Sequence, residues 1–353
     1  MEAFIYNGLP ARVIFGAGTV AALPAEVERL GIGRALVLTT PPQADQGRHL
    51  VERLGKRVAG LFSGAAMHTP VEVTDAALNL YRSTGADGVV AIGGGSTIGL
   101  GKAIALRTGA PQVVLPTSYA GSEMTPIIGQ TEGGQKTTQK TMKVLPETVI
   151  YDVEHTLTLP ATMTVTSGLN AIAHAVEALY AEEANPVLSL MAEEGIAKLF
   201  TALPRIASAP HSVAARSDAL YGAWLCALCL GSGGVALHHK LCHVLGGSFD
   251  LPHAETHTIV LPHALAYNAP EIAEPMTRLR RATGSETPAA AFYDLARAGG
   301  APVALRDIGM PEDGIDRAVA SALRAPYFNP RPLEAEGLTG LLKAAWAGNR
   351  PEI

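Results

Sequence analysis

The hydrophobic positions of the first 150 residues form short apolar runs separated by segments with helical spacing. Between the runs, residues 75–85 and 97–109 repeat apolar side chains every three to four positions, as an amphipathic helix does. Strands that alternate with helices predict a parallel sheet covered on both faces. The runs that predict strands are residues 34–40 (RALVLTT), 87–96 (DGVVAIGGGS), 110–118 (APQVVLPTS) and 147–152 (ETVIYD).

Beyond about residue 155 the strand pattern disappears and helical periodicity continues to the C-terminus. We therefore predict a Rossmann-like α/β domain over residues 1–155 and an all-helical domain over residues 156–353. Gly246 and Gly247 are expected to end one helix, with His253 in the loop that follows it. The predicted helices of this half are residues 165–183, 185–207, 214–231, 231–247 and 288–300.

Composition narrows the class of protein without identifying a reaction. The chain has 353 residues, of which 48% are hydrophobic and 17% charged, with a net charge of −5. These values predict a soluble protein with no nucleic-acid partner. Three cysteines are too few for a disulfide framework, and no basic leader or run of about 18 apolar residues stands out. A cytoplasmic location without a membrane partner is therefore expected.

A glycine-rich turn follows the second apolar run. Gly93, Gly94, Gly95, Ser96 and Thr97 lie between VVAI and a helical segment. Glycines let a backbone approach a ligand closely, and a helix N-terminus attracts anions, so this arrangement suits a phosphate group. The run is not G-x-G-x-x-G, so a simple tight turn remains the alternative.

A second loop, Pro116 to Glu123 (PTSYAGSE), follows the next apolar run and is rich in hydroxyl groups. Ligands of open α/β sheets bind at the carboxyl ends of the strands, where this loop is predicted to lie. A polar surface loop is the alternative. Three lysines follow in residues 134–146, and a solvated face is the default interpretation of them.

Histidines are concentrated in one stretch of the helical half. Six of the 11 histidines lie between residues 238 and 263, and His174 lies upstream. Asn170 and His174 are four residues apart, as are His239 and His243, so each pair shares one face of a helix. Such pairs predict a site that binds a metal or hydrogen-bonds an anionic substrate.

The other residues of this stretch are assigned lesser roles. His238 points about 100° away from His239 on a helix, so it is not expected to share the site. His257 and His263 are expected to be supporting or structural residues. Cys226 and Cys229 form a C-x-x-C within an apolar helix, where packing is the expected role.

Together these segments resemble the iron-containing alcohol dehydrogenase superfamily and, within it, the maleylacetate reductases. The resemblance extends over nearly the whole chain. It implies the dehydroquinate synthase-like fold, a homodimer and an NADH- or NADPH-dependent oxidoreductase. The segments that carry it are FGAGT (15–19), GGGSTIGLGKAIAL (93–106), PTSYAGSEMTPI (116–127), LPETVIYD (145–152), SGLNAIAHAVEALYA (167–181), the histidine stretch, and the tail NPRP…AWAG.

The resemblance also implies which residues bind the cofactor. Gly94, Gly95 and Ser96 correspond to the family's pyrophosphate loop. Thr40 occupies a position where alcohol-oxidising relatives often carry an Asp against the adenosine ribose. Without that carboxylate a 2′-phosphate is not repelled, so NADPH is expected to be accepted as well as NADH. The residues expected towards the nicotinamide end and the domain boundary are Thr117, Ser118, Ser122 and Lys136.

The family's metal is held by one Asp and three His. The His positions correspond to His174, His239 and His253, but Asn170 stands where the family has Asp. Three neutral imidazoles and an amide supply no ligand charge to offset a dication. No metal is therefore expected to be required, a departure that favours the maleylacetate reductases over metal-dependent alcohol dehydrogenases.

The implied reaction is reduction of the C=C bond of maleylacetate to 3-oxoadipate in the degradation of aromatic compounds (hydroxyquinol, resorcinol or chlorocatechol), with 2-chloromaleylacetate a further substrate for reductive dehalogenation. His243 and His253 are expected to stabilise the enolate, with His174 and His239 shaping the pocket. The residues expected to bind the dicarboxylate are Asn170, Lys240, Arg331 and Tyr119.

Three other functions remain open from the sequence. A metal-dependent alcohol or polyol dehydrogenase that accepts Asn as a ligand predicts chelator-sensitive alcohol oxidation. A dehydroquinate synthase-like lyase predicts a full metal site and no net consumption of NADH. A non-enzymatic binding protein predicts no affinity for NADH and leaves the histidines and the glycine turn unexplained.

Overall fold

A six-stranded parallel sheet forms the centre of the α/β unit, residues 9–159. The structure is a computed structural model that describes residues 4–133, 135–324 and 327–353, with the backbone alone for Gln135 and Lys136. The sheet order is β1-β8-β5-β4-β2-β3, and β6 and β7 form a separate antiparallel hairpin. The strands are β1 (Arg12–Gly16), β2 (Ala35–Leu38), β3 (Val58–Phe62), β4 (Gly88–Gly93), β5 (Gln112–Pro116), β6 (Ile127–Glu132), β7 (Gln135–Lys140) and β8 (Thr148–Asp152).

Helices cover both faces of this sheet. Strands β2, β4, β5 and β8 are buried along their whole length, which explains why they read as continuous apolar runs. One set of apolar side chains packs against α1 and α2, and another packs against α3 and α4. The helices are α1 (Leu23–Arg29), α2 (Ala44–Leu54), α3 (Val71–Ser83) and α4 (Gly95–Thr108).

The predicted α/β class is confirmed, including the four predicted strands. The other four strands were not predicted, because β1 and β3 are only partly buried and the hairpin β6–β7 is polar and rich in Thr, Gln and Lys. Helix α3 also begins at Val71, before the predicted residue 75.

The second unit, residues 160–353 with residues 4–8, is helical among its described residues. Its division from the α/β unit falls after Leu159 rather than after residue 155. One core joins α8, α9, α12 and α13. The helices are α5 (Ala161–Ala178), α6 (Pro186–Ser208), α7 (Val213–Ser232), α8 (Leu237–Phe249), α9 (His253–Asn268), α10 (Ala273–Thr283), α11 (Pro288–Ala298), α12 (Gly314–Leu323) and α13 (Ala335–Ala347).

Two predictions around the histidine stretch were wrong. Helix α8 continues through Gly246 and Gly247 to Phe249, and Asp250 in the left-handed conformation ends it. A helical glycine costs only about 1 kcal/mol, which packing of Leu241 and Leu245 in the core offsets. His253 is the first residue of α9 rather than part of a loop.

Among the described residues, helix α7 is long and apolar enough to cross a membrane by length and composition alone, a test that the core helix of a folded protein also passes. In this structure 56% of its most apolar window is buried inside the protein. Its contacts with α5 and α6 are those of a core helix. Cys226 and Cys229 lie buried in it as free thiols.

Candidate functional site

The glycine turn connects β4 directly to α4. Gly93 has φ +153°, and a Cβ there would lie 2.4 Å from Thr97 Oγ1, so a side chain does not fit. Gly94 is the N-cap of α4, and no side chain among the described residues caps the helix. The first backbone N–H groups of a 14-residue helix are therefore available for an anion such as pyrophosphate.

Most of the predicted cofactor residues follow the carboxyl ends of β2, β4 and β5, which are neighbours in the sheet, whereas Ser122 begins a short 3-10 turn further along the loop after β5. The Thr40 hydroxyl donates to Gln43 Oε1 at 3.0 Å, and Gln43 Nε2 donates to Thr117 Oγ1 at 2.8 Å. A Cβ on Gly94 would approach Ser118 Oγ to 2.9 Å, so Ser118 packs directly over the turn. Gln43 was not predicted; its position after Pro41 and Pro42 at a strand end was the available signal.

Lys102 is a second residue that the sequence analysis missed. It is fully buried on α4, and its ammonium donates to the carbonyl oxygens of Ser122 (2.5 Å), Thr125 (2.8 Å) and Ile127 (2.8 Å). Burial lowers the pKa of Lys102 to about 7, and the charge of Glu123 opposes that shift. Lys102 thus ties the hydroxyl-rich loop to the helix that begins at the glycine turn.

Two other predicted residues of this unit have different placements. Tyr119, predicted to bind substrate, is fully buried within the α/β unit, whereas the other predicted substrate residues belong to the helical unit. Lys136 is in β7, but its side chain lies outside the described part of the structure.

In the helical unit, three helices bring the predicted histidines together. Asn170 and His174 lie on α5, His239 and His243 on α8, and His253 begins α9. The rings of His174 and His239 stack with centroids 5.1 Å apart, and the His239 and His243 rings are 6.3 Å apart. Asn170, His174 and His239 are buried, whereas His243 and His253 are exposed.

Several buried polar atoms of this cluster have no hydrogen-bond partner among the described residues. They include Asn170 Oδ1, His174 Nδ1 and His239 Nε2. A buried polar atom without a partner is destabilising by about 1–3 kcal/mol, so such a concentration is typical of a site completed by a polar ligand or water.

Glu177 is a carboxylate of this cluster that was not predicted from the sequence. It lies one turn after His174 on α5, is fully buried, and accepts the His239 Nδ1–H at 2.6 Å. Its oxygens also accept backbone N–H groups at the start of α8, from Ala236 at 2.8 Å and His238 at 2.6 Å. A Glu in the otherwise apolar segment HAVEALYA was the available signal.

The prediction that His238 lies apart from the cluster was wrong. Its ring is 5.1 Å from the His239 ring, and its Nε2 is 2.9 Å from His257 Nδ1. Both neighbouring positions face α9, because the His238 and His239 rings each contact the ring of His257 on that helix. His257 lies among the rings, 4.3 Å from His253 and 5.0 Å from His239.

Burial is the main cause of the shifted pKa values in the cluster. It lowers the pKa of His174, His238 and His257 well below 6.5, and the neighbouring imidazoles lower those pKa values further. These three rings are therefore neutral at pH 7.

The predicted carboxylate-binding cations differ in their surroundings. Lys240 Nζ lies 5.2 Å from the centre of the Tyr327 ring. Arg331 donates to the Tyr267 carbonyl oxygen at 2.8 Å and stacks 4.2 Å from the ring of the same residue. Arg331 thereby holds the C-terminal segment against the end of α9, and no described contact joins it to the histidines.

The donor set does not fit a resident divalent metal at the family positions. Among the described residues, the one group of His, Cys, Asp or Glu side chains with ligand atoms within 4.8 Å of one another is His238, Cys242 and His257. His174, His239 and His253 do not converge in this way, and Asn170 adds no charge. The His238–His257 pair is satisfied as a hydrogen bond, and burial raises the pKa of the Cys242 thiol.

The chain matches two family models. Residues 10–153 match the iron-containing alcohol dehydrogenase model, and residues 164–346 match the C-terminal model of the same family. It is 55% identical to the maleylacetate reductase of Sphingobium indicum, over 99% of both chains.

Solved structures agree with these matches. The crystal structure of maleylacetate reductase from Agrobacterium tumefaciens superposes with a TM-score of 0.96 at 53% identity, covering 99% of this chain and 100% of that one. A protein from Ralstonia eutropha JMP134 described as an alcohol dehydrogenase superposes with a TM-score of 0.98 at 58% identity, covering 100% of both chains.

Proposed function

Because the chain belongs to the iron-containing alcohol dehydrogenase family and, within it, to the maleylacetate reductases, we propose that it reduces maleylacetate to 3-oxoadipate with NADH or NADPH. The observation that carries this proposal is the 55% identity with the Sphingobium enzyme over 99% of both chains. Asn170 in place of the family's Asp leaves no charged ligand at the metal positions. This supports the proposal over metal-dependent alcohol oxidation. Such a reaction belongs to the degradation of aromatic compounds.

The α/β unit supplies the residues proposed to bind the cofactor. The N-terminus of α4 at Gly94 and Gly95 would bind the pyrophosphate, with Ser96 in its first turn. Thr117 and Ser118 would orient the nicotinamide end. Bound NAD(P)H supplies the hydride. Thr40 and Gln43 are neutral, so nothing in this pair repels a 2′-phosphate, and we expect both NADH and NADPH to be used.

The helical unit supplies the groups proposed to act on the substrate. Hydride addition to the alkene carbon β to the ketone forms the new C–H bond and places negative charge on the ketone oxygen. Histidine N–H groups at positions 243 and 253 would stabilise that enolate, which then takes a proton at carbon to give 3-oxoadipate. The overall change consumes one NAD(P)H and one proton.

The remaining site predictions stay predictions. Lys240, on α8 beside His239, is proposed to pair with a substrate carboxylate. Asn170 is proposed to hydrogen-bond the substrate. Arg331 is proposed to act indirectly, because its guanidinium is engaged with Tyr267. The homodimer and the cytoplasmic location also stay predictions.

Substitution of His243 tests the proposed chemistry. We expect His243→Ala to lower kcat for maleylacetate by about 10²–10³-fold, a loss typical of removing one transition-state donor, while the Kd for NADH changes little. The measurement is NADH oxidation with mass-spectrometric identification of 3-oxoadipate. His211→Ala, at an exposed histidine of the same unit, is the control. Near-normal turnover by His243→Ala would remove His243 from the mechanism, and rapid oxidation of simple alcohols by wild type would favour the alcohol dehydrogenase alternative.

A further inference from the structure

Glu177 joins two helices at the centre of the histidine cluster. It lies in the last turn of α5 with no exposed surface. Its carboxylate accepts four N–H groups: those of the Ala236, His238 and His239 backbones and the His239 Nδ1–H. Helix α8 has no side-chain cap of its own, so this buried carboxylate serves as the cap from another helix.

The contact with His239 determines which ring nitrogen carries hydrogen. A carboxylate that already accepts backbone N–H groups has only acceptor capacity, so Nδ1 must be the protonated nitrogen at 2.6 Å. The other nitrogen, Nε2, is buried and has no partner among the described residues. The ring can therefore neither flip nor change tautomer without breaking a charge-assisted hydrogen bond.

Other groups around His239 offer no equivalent restraint. The rings that face it are His174 of α5, His238 and His243 of α8, and His257 of α9. None of these ring contacts places a carboxylate on His239, so Glu177 alone among the described contacts fixes its orientation.

We propose that Glu177 is a positioning residue that holds His239 as the Nδ1–H form and leaves its Nε2 as a hydrogen-bond acceptor for a water or a protonated group of the site. The kinetic consequence of this inference rests on the proposed function. The orientation of His239 does not depend on that function. Carboxylates behind metal-ligating histidines are worth about 10–100-fold in activity or metal affinity, and we expect a loss of similar size from the same hydrogen bond here.

The orientation is tested without substrate by ¹⁵N NMR of the histidine rings, with the His239 signals assigned from His239→Asn. Wild type should show hydrogen on Nδ1 of His239. In Glu177→Gln, whose amide cannot accept all four N–H groups, this signal should shift or broaden. Hydrogen on Nε2 alone of His239 in wild type would overturn the proposal, whether or not Glu177→Gln folds.

Kinetics then separate positioning from helix capping. Glu177→Gln should lower kcat for maleylacetate about 10–100-fold with little change in KM for NADH. Glu177→Asp, which keeps a carboxylate, should retain part of the kcat that Glu177→Gln loses. Added to His239→Asn, Glu177→Gln should lower kcat no further. Independent, multiplying losses in the double variant would overturn the proposal.

The matched control is Asn185→Ala, which removes the N-cap of α6 in the same unit but touches no histidine. It should lower Tm and leave the His239 signal and kcat unchanged. An equal fall in kcat would assign the effect of Glu177 to helix capping and overturn the proposal. If wild type reduces no maleylacetate while the NMR result holds, the proposed function fails and the positioning of His239 stands.

Discussion

Asn170 stands where the resemblance to the family implies an Asp ligand, and we expect its chemistry to separate this chain from the metal-dependent members. It lies buried on α5 one turn before His174, and its Oδ1 has no hydrogen-bond partner in the part of the chain that the structure describes. An amide at this position can donate and accept hydrogen bonds to a substrate, whereas a carboxylate would repel a dicarboxylate and attract a cation.

Replacing Asn170 by Asp should therefore strengthen metal binding and weaken the reduction of maleylacetate. We expect Asn170→Asp to bind more Zn²⁺ or Fe²⁺ per subunit than wild type and to lose at least tenfold in kcat/KM for maleylacetate, about 1.4 kcal/mol. Metal analysis after gel filtration and steady-state kinetics measure the two effects. Unchanged metal content together with unchanged kinetics would show that residue 170 does not influence the site.

Gly94 offers a test on the cofactor side. A Cβ at this position would lie 2.9 Å from Ser118 Oγ, so Gly94→Ala should displace the Ser118 side chain. We expect the Kd for NADH to rise about tenfold with little change in Tm. Gly340→Ala, where a Cβ meets nothing within 4 Å, is the control. NADH affinity equal to wild type would contradict the placement of the nicotinamide end at Ser118.

At the scale of single elements, buried strands and long helices could be predicted, whereas contacts between helices could not. Strand β4 could be predicted because both of its faces are covered, so that each residue of the run VVAI must be apolar. The hairpin β6–β7 has no apolar pattern to detect. The prediction for His238 was wrong because periodicity describes the faces of a single helix. It does not show that α9 contacts both His238 and His239 of α8. Glu177 was missed for the same reason, since its partners begin 59 residues away.

Helix α9 carries a testable dependence of stability on pH. Burial lowers the pKa of His263 to about 4, from 6.5. Between these values the unfolded chain binds a proton that the folded chain excludes, so the free energy of unfolding falls as the pH falls from about 6.5 to about 4. Across this whole pH range the free energy of unfolding changes by about 3 kcal/mol.

Urea denaturation of wild type and His263→Gln at several pH values between 7 and 4.5 measures this effect. The variant should lose less stability on acidification than wild type, and His211→Gln, at an exposed position, should behave as wild type. Parallel curves for wild type and His263→Gln would show that His263 does not contribute. The buried rings of His174, His238 and His257 act in the same direction, so part of the dependence should remain in the variant.

At the scale of the whole molecule, the two units divide the chemistry between them. The α/β unit gathers Thr40, the glycine turn and Thr117 at the carboxyl ends of adjacent strands, as open parallel sheets do with nucleotide ligands. The helical unit gathers imidazoles and one carboxylate. The sequence indicated both groups of residues because each follows a local pattern, namely a strand end or an i, i+4 pair.

In the proposed reaction histidines, rather than a metal, stabilise the enolate. The measurement that tests it most directly is NADH oxidation with maleylacetate by metal-analysed enzyme, with and without EDTA. We predict rapid turnover by protein that contains less than stoichiometric metal, unchanged by EDTA. Turnover that appears only after iron or zinc is added would contradict the account and make Asn170 a working metal ligand.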